Sequence, residues 1–246
     1  MTNAYPLVFT LGVLSGLLWL GLANSNSGRS SLRRSGVDQR ILRIDAGLSA
    51  LVGGLVGARA GFVLLHWDYY LGRPAEMLWF WQGGLTWVGG AVGALLGLVL
   101  YTAFTGHAFW PLVDALSLPG AMVALSAWTG CLLDGCAFGR QTSTGPWISP
   151  TEDMFAGSAN RWPTQSVGLL YSILVLATLY WLSDRGMKEG MLGSLGLSMI
   201  AGGALALSFT RSDPALLLMG FRLDTVGSAI VLLISSCGFV FRTIKG

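Results

Sequence analysis

The stretch GLTWVGGAVGALLGLVLYTAFTG, residues 84–106, runs for 23 residues without a charged side chain. A helix of about 20 apolar residues crosses the hydrocarbon core of a bilayer. Isolated strands in lipid leave their backbone groups unpaired, so the stretch predicts a transmembrane helix. Six further segments read the same way, at about 5–23, 44–66, 109–133, 163–183, 191–210 and 223–242. The 246-residue chain is 53% hydrophobic and 11% charged, whereas a soluble domain carries roughly 25% charged residues. The expectation is an all-α integral membrane protein with seven transmembrane helices, forming a single polytopic membrane domain over residues 1–246. The first apolar stretch is too long for a cleaved signal peptide, and no small-residue cleavage site follows it.

Lys and Arg set the expected orientation. Arg29, Arg33, Arg34, Arg40, Arg43, Arg185, Lys188, Arg242 and Lys245 fall on one side, against Arg73, Arg140, Arg161, Arg211 and Arg222 on the other. The positive-inside rule then places the N-terminus outside and the C-terminus in the cytoplasm. The Arg-rich linker at 24–43 reads as solvated and close to anionic headgroups. Residues 67–83 are crowded with aromatics, as in an outer interfacial segment. So hydrophobic a chain excludes nucleic acid as a partner.

Glycine recurs every fourth residue at Gly53, Gly57 and Gly61, and again at Gly89, Gly93 and Gly97. Small residues at that spacing let helix backbones approach in lipid. Arg59 lies inside the second apolar segment, where a charge costs at least about 3 kcal/mol unless it faces protein or a watery cavity. A phospholipid phosphate, gripped by the planar guanidinium fork, and a neighbouring carboxylate are its two candidate partners. Asp114 reads as a cap or an ion-pair partner.

The segment WTGCLLDGCAFGRQTSTGPW, residues 128–147, breaks the apolar pattern with Cys131, Asp134, Cys136 and Arg140. The Cys pair lacks the companions a zinc site needs, and no other metal or cofactor motif is present. A free thiol in a packed helix end is the favoured reading, because a disulfide over so short a span is strained if the helix continues through it.

In order and spacing, several short blocks resemble the prolipoprotein diacylglyceryl transferase family. They are GARAGFVL, WQGGLTWVGGAVGALLG, Asp114, GCLLDGCAFGRQT with PW, and RWPTQ. The resemblance covers most of the chain from about residue 54 onward. It implies a multi-pass protein of the bacterial inner (plasma) membrane that moves the diacylglyceryl group of phosphatidylglycerol onto the thiol of a lipobox Cys in a prolipoprotein. Arg59, Asp114, Gly130, Gly135, Gly139, Arg140, Pro163 and Gln165 fall on family-like positions, and SFTRSD aligns Arg211 similarly. The signature loop is represented by Gly130, Cys131, Asp134, Gly135, Cys136 and Gly139.

The sequence departs from the family pattern at several points. Val88 stands where a His is expected, and Trp128 and Ala204 where Arg is expected. Cys131, Asp134 and Cys136 replace Asn, Asn and Glu, while Val167 and Gly168 replace a Tyr-Glu pair. The catalytic residues are therefore not assigned. The second reading is a catalytically inactive relative, serving as a lipid-binding or structural subunit among other membrane-complex subunits. On either reading, Arg59, Arg140 and Arg211 are expected to converge on one anionic phospholipid phosphate. Asp134 and Asp213 are their competing ion-pair partners.

Overall fold

The computed structural model describes residues 4–22, 36–80, 83–143, 149–152 and 158–245. Seven helical spans in it are long and apolar enough to cross a membrane, as the hydropathy predicts, so the chain is a multi-pass membrane protein. In chain order the helices are α1 (Ala4–Leu22), α2 (Gly36–Leu65), a short α3 (Trp67–Leu71), α4 (Trp87–Thr105), α5 (Phe109–Ala115), α6 (Ser117–Asp134), α7 (Thr164–Ser183), α8 (Met191–Ser208) and α9 (Leu223–Lys245). Two antiparallel hairpins join them: β1 (Ser149–Glu152) with β2 (Ser158–Arg161), and β3 (Leu217–Leu218) with β4 (Phe221–Arg222).

Two boundaries differ from the sequence reading. Residues 36–43, expected in a solvated linker, form the first turns of α2. The fourth span divides into α5 and α6, because Pro119 has no N–H to offer the Ala115 carbonyl and its ring crowds that oxygen. Ser117 restarts the helix and donates its hydroxyl to the Asp114 carbonyl at 2.7 Å. Arg29, Arg33 and Arg34, together with Pro146 and Trp147, lie outside the described residues.

The chain packs as two units, residues 20–113 and residues 1–19 with 114–246. In the first of these, α2 lies directly on α4. A Cβ on Gly53 would collide with the Gly93 carbonyl, and one on Gly57 would sit 2.7 Å from the Gly93 Cα. The fourfold glycine spacing therefore removes side chains from the seam, and backbone meets backbone.

In the larger unit, α6, α7 and α8 enclose a core of Leu118, Ala121, Val175, Leu179 and Leu192, with Trp19 of α1 and Tyr171 packed against it. Hydroxyls join α8 to α9: Ser198 donates to Ser235 at 2.9 Å, and Thr225 donates to Ser208 at 2.9 Å. At one end of this bundle Asp114 accepts the N–H groups of Gly190 and Gly193 at 2.6 and 2.8 Å. It thereby caps the start of α8, so Asp114 serves as a cap between helices. The other end carries the signature loop.

Candidate functional site

Helix α6 stops at Asp134 because Gly135 takes a left-handed conformation (φ 71°), which glycine adopts without a Cβ penalty. The chain turns back, and Cys131 and Cys136 form a disulfide with their Cα atoms 4.6 Å apart. This corrects the free-thiol reading. The helix does not continue through the loop, so the geometric objection to the bridge disappears. Inside the covalent ring, Asp134 accepts the backbone N–H groups of Ala4 and Tyr5 at 3.1 and 2.8 Å. It neutralises the positive end of α1 and takes no Arg.

Gln165, buried near the start of α7, holds the ring from the other side. Its amide nitrogen donates to the carbonyls of Cys131 and Cys136 at 3.2 and 2.6 Å. Gly130 is required by closeness, because a Cβ there would stand 2.7 Å from the Tyr5 ring. Pro163 precedes the first residue of α7.

Beyond the ring, residues 138–142 run as an extended segment bonded on both sides. Arg140 N–H donates to the Thr210 carbonyl at 2.9 Å and Ser212 N–H to the Phe138 carbonyl at 2.9 Å. On the opposite edge, Trp162 N–H donates to the Arg140 carbonyl at 3.0 Å, and Thr142 N–H to the Asn160 carbonyl at 3.0 Å. Gly139 sits where a Cβ would enter the Trp162 carbonyl and stand 2.6 Å from the Thr164 hydroxyl. A small sheet thus fastens the loop to the starts or ends of α6, α7 and α8.

This sheet decides where the expected cations go. Gly139 pairs with Arg211, so the two share a face, and alternation along a strand sends Arg140 to the opposite face. The Arg140 side chain is exposed. Arg161 is buried, with its guanidinium 4.5 Å from the centroid of the Phe138 ring. Arg211 instead grips Asp213 with two parallel hydrogen bonds, at 2.8 and 2.6 Å. Arg222 contacts the same carboxylate at 3.2 Å, and Asp224 lies 3.4–3.5 Å from both guanidinium groups.

The four charges cancel. Burial pushes the Asp213 carboxyl up, but the hydrogen bonds and charge of Arg211, with Arg222, pull it below its ordinary value. Burial pulls the Arg211 guanidinium down, and Asp213 and Asp224 raise it by more. Arg222 enters the sequence reading only as a loop charge, and Asp224 does not enter it. The detectable signal was a repeated Arg-x-Asp, at 211–213 and 222–224.

Three departures from the family pattern meet inside the bundle. The Trp128 indole lies directly across Gly168, in the space any Cβ would need. Trp128 and Ala204 also line one small cavity of about 20 Å³, with Tyr171, Ser172 and Gly203. The Tyr171 ring rests on Gly203 and its hydroxyl donates to the Met199 carbonyl at 2.8 Å. Where the family pattern places Arg and Glu, this chain has apolar packing.

Arg59 belongs to the smaller unit. Its side chain is 9% exposed and is turned to backbone acceptors. It donates to four backbone carbonyls: Glu76 at 2.5 Å, Met77 at 2.9 Å, Gly83 at 2.8 Å and Gly84 at 3.2 Å. The Phe62 and Tyr70 rings flank it at 5.9 and 5.4 Å. The fork therefore holds the aromatic segment between α2 and α4.

Residues 2–241 match the model of the family described as Prolipoprotein diacylglyceryl transferase. The chain belongs to the prolipoprotein diacylglyceryl transferase family. Proteins named phosphatidylglycerol–prolipoprotein diacylglyceryl transferase are similar to it along most of its length. The one from Methylobacillus flagellatus is 28% identical over 87% of this chain and 80% of its own. The one from Bacillus velezensis is 25% identical over 100% of this chain and 94% of its own. A third, from Rhodospirillum centenum, is 30% identical over 64% of this chain and 57% of its own length. The match to this transferase family crosses both packing units. It also includes the signature loop whose disulfide and sheet are described above.

Proposed function

We propose that the protein transfers the diacylglyceryl group of phosphatidylglycerol to the lipobox Cys thiol of a prolipoprotein, on the outer face of a bacterial plasma membrane. The family match over residues 2–241 carries this reading. The gathering of signature residues at one end of the larger unit supports it. In the reaction the Cys thiolate sulfur attacks the glyceryl carbon, a C–S bond forms, and the C–O bond to phosphate breaks. Glycerol phosphate leaves with the electron pair. A cation beside the leaving phosphate stabilises the charge that develops there, and the thiol loses its proton to become the nucleophile.

Of the three cations expected at the phosphate, Arg140 is the exposed one and is proposed as the direct contact. Arg211 and Arg59 support the reaction through the loops they hold. The test is rescue of a bacterial host depleted of its own transferase, read as diacylglyceryl thioether on a model prolipoprotein. Wild type should rescue and Arg140→Ala should lose most of that lipidation. Failure of membrane-inserted wild type to lipidate the substrate would overturn the proposal in favour of an inactive, lipid-binding or structural relative.

A further inference from the structure

The β3–β4 hairpin combines three features that water does not explain. Leu217 pairs with Arg222 and Leu218 with Phe221, which leaves a two-residue turn, Met219–Gly220. Both turn residues have positive φ, 51° and 84°. Such a turn favours Asn, Asp or Gly at its first position, and a long side chain there is disfavoured. Yet the residue is Met, and it is 94% exposed. Leu217 and Phe221 beside it are 68% and 58% exposed. A two-stranded hairpin is marginal in water by itself, and an apolar tip on it marks an interaction site.

We propose that this tip is an anchor that dips into the leaflet on the signature-loop side, with acyl chains as its partner. The hairpin joins α8 directly to α9, and both helices are apolar and long enough to cross the membrane, so its base starts at the bilayer surface. That base is the neutral cluster of Arg211, Asp213, Arg222 and Asp224, suited to the headgroup layer. At about 3.3 Å per residue, the two or three residues from base to turn reach the depth of roughly 5–10 Å typical of interfacial elements. Charge at the base and bare hydrocarbon at the tip fit a leaflet.

The test places a nitroxide on Met219→Cys in a Cys237→Ser background, which removes the free thiol. The full chain is reconstituted in vesicles of phosphatidylglycerol and phosphatidylcholine. Collision rates with oxygen and with a water-soluble nickel complex are compared with those of labels on Leu170→Cys, exposed on α7, and Ser212→Cys, exposed at the base. The ratio at 219 should shift from the Ser212 value toward the Leu170 value. A ratio equal to that at Ser212 would overturn the proposal. So would shielding from both reagents, which would place a peptide or a second copy on the tip. A second variant separates anchor from turn. Met219→Asn suits the backbone and should preserve the thermal midpoint, while a label on Leu217→Cys moves toward water. An unchanged depth at 217 would also overturn the anchor.

Discussion

Trp128 and Gly168 are packed face to face, with the indole occupying the volume of a missing Cβ. Each makes the other possible: the ring needs a glycine beneath it, and the glycine leaves a void without the ring. Gly168→Ala should cost about 1–3 kcal/mol by overpacking. Trp128→Ala in the same chain should recover part of that loss. A double-mutant cycle on thermal stability measures the coupling, and strictly additive effects would show that the two positions are independent.

Arg59→Lys keeps the charge and loses the fork. An ammonium on a flexible stem cannot reach four carbonyls spread over residues 76–84. Hydrogen bonds from a charged group contribute about 1.5–3 kcal/mol each, so the variant should lose at least about 2 kcal/mol. Its retention of anionic phospholipid in native mass spectrometry should match that of wild type. Loss of lipid at unchanged stability would instead assign Arg59 to a phosphate.

The ring from Cys131 to Cys136 should stabilise the fold by about 2 kcal/mol through the restricted unfolded chain. The pair Cys131→Ser with Cys136→Ser is expected to lower the thermal midpoint while leaving helicity intact. The same shift should follow reduction of wild type. A midpoint indifferent to both treatments would mean that Gln165 and Asp134 hold the loop unaided.

Acid should reach the hairpin base through Asp213. Its carboxyl is held below the unfolded value, about 3.9 for aspartate, despite the upward push of burial, because of Arg211 and Arg222. The pairing therefore contributes in full at neutral pH. It fades as pH falls below about 4 toward the lowered value. Arg211, raised by its partners, stays charged throughout. Wild type should thus lose thermal stability more steeply below pH 4 than Asp213→Asn does. Parallel acid limbs would contradict the assignment.

The spans were legible because lipid demands them: unbroken apolar length admits one solution, and the glycine spacing at 53–61 and 89–97 marked the seam. The signature end was harder to read. The disulfide depended on where α6 stops, and only Gly135 signalled that stop. Arg59 was seen as an expensive charge, but its partners are backbone carbonyls, which have no residue-type signature. The small sheet joins segments near 140, 161 and 211. Pairing across such separations is written in hydrogen bonds, not in local pattern. The ion cluster did leave a trace in its repeated Arg-x-Asp.

The cap that Asp134 places on Ala4 and Tyr5 has a temporal side. Helix α1 is synthesised well before its cap, because the carboxylate that receives its N-terminus is encoded about 130 residues later. At roughly 5–20 residues per second, translation separates the two by about ten seconds. Throughout that interval α1 is without its latch, while α2 and α4 are being made. The start of α1 is thus made early and fixed in place late.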